Sequence, residues 1–325
     1  WIKSLSFGKS MRWGSSHESF IRPIRWANVM LGEEVVDVEL FGVRSAASTY
    51  VHRISHFGAK KVASIHAYFD LLKEGSVILY PEDRRARILS AFEALEKAHG
   101  VTIEIDPDLL DEVVAITEYP TPLLGKFDEN FLELPPEVII TSMKEHQRYF
   151  PVFKDGKLIN AFVVVSNALT NDFSKVIEGN ERVLRPRLSD ALFFYRNDLK
   201  KGLSTEGLEK VIFMNGLGTL TDKIEREKKI VSYLAQDCLA QGVAVDEGSL
   251  VRAVELAKAD LMSEMVYEFT ELQGLMGSYY VQQLYPNEKP QIAEAIREQY
   301  RFAGEEISSP FSAVVNIAMK LDTLI

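Results

Sequence analysis

Histidine is absent beyond His146, and cysteine occurs once, at Cys238. One cysteine excludes a disulfide within the chain and any site built from several thiolates. It fits a reducing compartment, and the expected location is the cytoplasm. The missing histidines exclude a His-based metal centre from the second half of the chain. No apolar run reaches about 18 residues and no signal-peptide pattern is present, so no membrane partner is expected. No phosphate-cradling loop of the G-x-x-x-x-G-K-[ST] type occurs. In "NGLGTL", Gly216 and Gly218 lack the third glycine of a dinucleotide fingerprint, and a helix-entry loop is the better reading. Gly14-Ser15-Ser16-His17 sets serines beside a histidine, but it is neither a G-x-S-x-G elbow nor a triad. The expectation is no catalytic residue, no metal and no cofactor in this chain. His52 and His56 stand four apart, which would suit two ligands on one helix face. Thr49, Tyr50, Val51 and Ile54 favour strand or loop instead, where such residues lie about 13 Å apart.

What is present is an ordinary globular composition, 46% apolar and 26% charged, with a net charge of −10. The calculated pI of about 5.3 argues against generic, charge-driven binding to nucleic acid. Local clustering of cations is therefore informative. Residues 180–203, "NERVLRPRLSDALFFYRNDLKKGL", hold Arg182, Arg185, Arg187, Arg196, Lys200 and Lys201. A helix is predicted to start near Pro186, with Leu188, Leu192, Phe193 and Leu199 on its core face. Arg185 and Arg187 would then flank its first turn, where cations oppose the helix dipole. An anion at the free N–H groups would explain them; ion pairs with Glu178, Glu181 or Asp190 would do so equally. A second basic segment, "MKEHQRYF", carries Lys144, His146, Gln147, Arg148, Tyr149 and Phe150. It suits phosphate contact with base stacking, or a solvated helix end running into a core strand.

The texture of the chain changes once. Residues 20–45 alternate apolar with polar and predict strands joined at Gly32. Helices are predicted over 64–75, 81–100, with Pro81 first and Gly100 as stop, and from Pro107, with Asp106 as N-cap. "SVILY" predicts a short buried strand and "PPEVIITSMKEHQ" a helix. "RYFPVFKDGKLINAFVVVSN" predicts a hairpin turning at Asp155-Gly156. From about 186 the sequence reads as helices, including one over 248–269, with little strand. A boundary near 200–215 gives a mixed module at 1–205 and an all-α module at 206–325. Strand and helix do not alternate regularly, so the expected class is α+β. The chain opens at Trp1 and stops at "MKLDTLI" in mid-pattern, which predicts a fragment cut at both ends.

Several long segments occur in a telling order: "MRWG", "FIRPIRWANVMLG", "MKEHQRYFPVF", "GNERVLRPRLSDALFFYRNDLKKGL", "GLGTLTDKIER", "KADLMSEMVYEFTELQGLMG" and "NIAMKLDTL". Nearly the whole chain thereby resembles the beta subunit of the bacterial two-subunit glycyl-tRNA synthetase. The resemblance implies an enzyme that joins glycine to its tRNA at the cost of ATP, assembled from two alpha and two beta subunits. The alpha subunit would carry the adenylate chemistry with ATP and Mg, and the beta subunit would bind and orient tRNA(Gly). It implies a module similar to the B3/B4 domain of phenylalanyl-tRNA synthetase, then a helical module similar to HD-type phosphohydrolases. A C-terminal anticodon-binding domain would follow beyond this chain. In "KADL", Ala259 stands where an HD histidine would be and Asp260 is retained, which implies a fold without its metal chemistry and a structural Asp260. The B3/B4 likeness raises editing of mischarged tRNA. Size exclusion already rejects amino acids larger than glycine, which disfavours it. Two rival functions are a metal-dependent hydrolase, opposed by the missing histidines, and a scaffold whose basic face docks the alpha subunit. On charge and motif, the residues expected to meet tRNA are Lys144, Gln147, Arg148, Arg182, Arg185, Arg187, Lys200 and Lys201.

Overall fold

The computed structural model describes residues 1–324 and is α+β. The helices among them are α1 (Ile65–Glu74), α2 (Pro81–His99), α3 (Pro107–Ile116), α4 (Pro136–Gln147), α5 (Ser174–Lys201), α6 (Leu220–Ala240), α7 (Glu247–Leu256), α8 (Glu264–Glu268), α9 (Leu275–Leu284), α10 (Pro290–Glu298) and α11 (Pro310–Leu324). The chain divides into two compact units. One joins Trp1–Lys126 to Gln147–Arg182; the other joins Phe127–His146 to the residues from Val183 on. These units differ from the 1–205 and 206–325 modules read from sequence texture. Residues 127–146 belong with later ones, and the change of unit falls inside α5.

The first unit centres on an antiparallel sheet of β1 (Thr102–Ile103), β2 (Thr121–Lys126), β3 (Phe150–Lys154) and β4 (Lys157–Ser166), in the order β1-β3-β4-β2. The β3–β4 hairpin turns at Asp155 (φ +51°) and Gly156 (φ +75°), with Lys154 opposite Lys157. Positive φ at both turn residues matches the strand twist, as the sequence predicts. One sheet face packs Phe150, Val152, Ala161 and Val163 against Ile88 and Phe92 of α2 and Leu109, Leu110, Val113 and Val114 of α3. On the other face, Tyr149 stacks on Phe162 at 4.5 Å between ring centroids. Gly125 lies beneath that ring: a Cβ there would fall 2.5 Å from Phe162 Cζ. Helix α2 begins at Pro81 and ends at Gly100 (φ +63°), and Asp106 caps α3 through the N–H groups of Asp108 and Leu109.

Two strand expectations need correction. Residues 20–45 form two-residue ladders, Met30–Leu31 with Glu34–Val35 and Glu39–Leu40 with Val43–Arg44, and single bridges of Phe20 to Met11 and Ala27 to Ser45. Turns at Gly32 (φ +65°) and at Phe41-Gly42 (φ +50° and +77°) reverse the chain before longer strands develop. Phe41 tolerates its left-handed backbone because its ring is buried, 5.2 Å from Phe20 and 5.8 Å from Trp13. "SVILY" is not a strand. The Arg84 guanidinium takes the carbonyls of Ile78 (2.7 Å) and Leu79 (2.8 Å), removing the acceptors a ladder would use. The segment holding His52 and His56 is loop, but turned rather than extended. His56 N–H donates to the His52 carbonyl at 3.0 Å, and the buried His52 ring meets the Asn167 carbonyl at 2.8 Å.

The second unit is helical. Its core joins α6, α7, α9, α10 and α11 through residues such as Val231, Leu250, Val254, Val281, Ile296 and Val315. A small hairpin, Ile212–Met214 with Gly218–Thr219, leads into α6, which opens on a reciprocal capping box of Thr219 and Asp222. The single helix predicted over 248–269 is broken into α7, a 3-10 turn at Ala259–Met262, and α8. Two side chains cause the break. Asp260 turns inward to bond the backbone of residues 274 and 277, and Ser263 caps α8 at the N–H of Val266. Helix α9 has no counterpart among the predicted elements.

Candidate functional site

Helix α5 starts at Ser174, twelve residues before Pro186. The expected helix start near Pro186 is thus corrected. Pro186 lies within the helix and merely deprives the Arg182 carbonyl of its i+4 donor. The register is fixed by Leu184, Leu188, Ala191, Leu192, Tyr195 and Asp198, which are buried at helical spacing. No free N–H groups exist beside Arg185 and Arg187, so the argument for an anion at a helix terminus falls. Phe193, expected on the core face, is 60% exposed.

The eight expected residues have different surroundings. Arg182, in the first unit, pairs with Glu178 at 2.8 Å on the helix surface. Arg148 takes a left-handed backbone (φ +58°) just past α4, and its Nε donates to Glu112 at 2.8 Å. Gln147 and Lys144 are half-buried. Arg187 is largely structural in its contacts. Its guanidinium lies 5.1 Å from the Phe269 ring centroid, its Nη2 donates to His146 Nε2 at 2.6 Å, and its Nε is buried without a partner. Arginine has only donors, so His146 Nε2 is the acceptor of this contact. Arg185, Lys200 and Lys201 are exposed and form no ion pair within 4.0 Å among the described residues.

Within the second unit, Arg185, Ser189, Phe193, Arg196 and Lys200 fall within about 80° of one another around α5, a single stripe. All five are exposed. Arg196 is locked by a two-pronged contact with Glu133, Nε to Oε1 at 2.9 Å and Nη2 to Oε2 at 2.5 Å. That hydrogen bonding holds the Glu133 carboxyl below its ordinary range. Arg185 and Lys200 therefore carry the unneutralised charge of the stripe, about 22 Å apart along the axis. An arrangement of this kind can neutralise phosphates without assigning sequence.

At the C-terminal end of α5 lies a cavity of about 330 Å³, lined by Lys201, Ser204, Lys210, Ser263, Asp198 and Tyr280 among others. Asp198 is buried and accepts from the N–H groups of Glu264 (2.9 Å) and Met265 (3.0 Å) and from the Tyr280 hydroxyl (2.7 Å). Burial, and then the Asp198 charge, push the Tyr280 hydroxyl far above the usual tyrosine range. Asp198 is not among the residues expected from charge and motif. Its one signal in the sequence is a carboxylate on the buried spacing of Leu184, Leu188, Ala191 and Tyr195. Asp260 is fully buried; its Oδ2 accepts from Gly274 N–H (2.6 Å) and Gly277 N–H (3.0 Å), while Oδ1 has no partner. Among the described residues no group of three or more His, Cys, Asp and Glu is placed to hold a metal ion. None of the described helices is long and apolar enough to cross a membrane.

A family model described as glycyl-tRNA synthetase beta subunit matches residues 1–325. The chain is 50% identical to a glycine–tRNA ligase beta subunit of Helicobacter pylori (strain Shi470), over 99% of this chain and 48% of that protein. It is 42% identical to one from Desulforamulus reducens, over 100% of this chain and 47% of the relative, and 42% identical to one from Moorella thermoacetica at the same coverage. The chain spans about half the length of the curated relatives it matches.

Proposed function

The chain belongs to the glycyl-tRNA synthetase beta subunit family, and from that premise we propose that it is the tRNA-binding and positioning part of a glycine–tRNA ligase. In this reading the whole enzyme joins glycine to tRNA(Gly) in the cytoplasm, using ATP and Mg through an alpha subunit, in an alpha2beta2 assembly. This chain supplies no catalytic group. It holds the RNA so that the acceptor end reaches the partner's active site, a contribution of orientation. The mixed unit keeps the B3/B4-like reading proposed for 1–205 and the helical unit the HD-like reading proposed for 206–325, the second as a fold reused for binding, with the bounds moved to those of the two units.

The observation that carries this reading is the exposed stripe of α5, with Arg185 and Lys200 free of ion pairs on a chain of net charge −10. Arg182, Lys201, Lys144, Gln147 and Arg148 are further contact candidates. Arg187 supports the surface from beneath through Phe269 and His146. The test is direct binding to tRNA(Gly) and to an unrelated tRNA at two salt concentrations. Salt-sensitive binding to both, weakened by Arg185→Ala with Lys200→Ala, is expected. No binding at low salt would overturn the reading and favour a scaffold whose basic face docks the alpha subunit.

A further inference from the structure

Phe193 sits midway along the stripe, eight residues after Arg185 and seven before Lys200, so the two uncompensated cations flank it at about 12 and about 10 Å along the axis. Its ring is 60% exposed and meets the half-buried Phe194 edge-on, with centroids 6.0 Å apart at 64°. Its neighbours on the stripe are polar, Ser189 and the Glu133-locked Arg196. An apolar docking face would carry a row of such rings or aliphatic chains; here one ring stands between charges. We propose, resting on the RNA-binding reading above, that Phe193 stacks against one unpaired base of the bound RNA while Arg185 and Lys200 hold the phosphates on either side.

The chemistry of the stripe selects single-stranded over duplex RNA. A-form RNA buries its base faces in the stack and has a major groove too deep and narrow for a helix, so a duplex would offer this ring only backbone. An unpaired nucleotide exposes a π-face, and stacking on an aromatic side chain tolerates any base. The locked Arg196 guanidinium, one turn from Phe193, leaves the surface preformed on that side, so little side-chain freedom is lost there on binding.

The test uses the full-length protein assembled with its partner subunit, and two RNA probes, a short unstructured single strand and a blunt duplex of similar length. Phe193→Leu is expected to weaken single-strand binding about 5- to 100-fold, to leave duplex binding and its salt dependence unchanged, and to be rescued by Phe193→Tyr. The unfolding midpoint should not move, since the ring is largely exposed. Arg185→Ala with Lys200→Ala should weaken both probes and flatten the salt dependence. Wild-type binding by Phe193→Leu, or equal losses on both probes, would overturn the stacking role and leave the RNA-binding reading intact. Loss of subunit association with unchanged RNA binding would make this a protein-docking face and also overturn it. If the double cation variant binds RNA like wild type, the RNA-binding reading itself falls.

Discussion

The Tyr280 hydroxyl donates to Asp198 Oδ2 at 2.7 Å, and the same carboxylate accepts the N–H groups that open α8. Three donors converge on one buried charge, so its removal strands all of them. Tyr280→Phe should cost about 1–3 kcal/mol, the loss of one hydrogen bond to a charged group, and Asp198→Ala more. Denaturant unfolding checks this: the midpoint should fall in that order at unchanged slope. Equal midpoints for wild type and Tyr280→Phe would show that the bond contributes nothing net.

Arg185 and Arg187 are two residues apart and should fail in different assays. Arg185 is exposed and unpaired, so Arg185→Ala should leave stability unchanged. It should weaken tRNA binding by a similar factor for all tRNAs and reduce the salt slope by about one unit or less. Arg187→Ala removes a cation–π contact and the donor to His146, and should lower stability by about 1–2 kcal/mol. Identical behaviour of the two variants in both assays would contradict the assignment.

Burial pushes the Asp260 carboxyl up to about 6, against about 3.9 for an unfolded aspartate. Between these values the folded chain keeps a proton that the unfolded chain has released. The resulting stabilisation is present below pH 4 and is lost as pH rises through 6. Asp260→Asn cannot titrate, so relative to wild type it should gain stability from pH 4 to 6.5, by up to about 3 kcal/mol. A wild-type-minus-variant difference that stays flat across this window would refute the buried, proton-binding carboxyl.

Gly125 permits the approach of the Phe162 ring, and Gly125→Ala would drive a methyl into it at 2.5 Å. We expect a loss of about 1–3 kcal/mol from overpacking. Phe162→Leu in the same chain should recover part of it, which thermal unfolding of the single and double variants would measure. Strict additivity would mean the two residues do not meet.

The sequence was most informative where a local rule was obeyed without competition. Asp155-Gly156, Pro81 with Gly100, and Asp106 each act through backbone conformation or a neighbouring N–H, and each appears where predicted. It misled where a long-range partner decided. Pro186 imitates a first helical residue, but the core spacing beginning at Leu184 carries α5 straight through it. Phe193 reads as core by composition, yet the buried spacing selects Leu192 and Tyr195 on either side. Helix α9 was hidden because its glycines are small for reasons outside their own segment: a Cβ at residue 277 would crowd Asp260 and Ile296, and one at residue 274 would crowd Gln299 and the Ile296 carbonyl on a backbone of φ +83°. Of the candidate site, the cationic stretch was legible in the sequence. Which of its charges remain unpaired was not, because Glu133, Glu112 and Phe269 come from distant parts of the chain.

The two glycine amides at Asp260 act as an internal counter-cation. Their partial positive charges face Oδ2, and a Cβ at residue 277 would already stand 3.0 Å from that oxygen. Main chain, anchored covalently, thus offsets part of the cost of burying the carboxylate, and main chain cannot be dialysed away. Chelation should leave the unfolding midpoint of the helical unit where it was. Lengthening the side chain by one methylene, Asp260→Glu, should disturb it more than any removal of divalent ions.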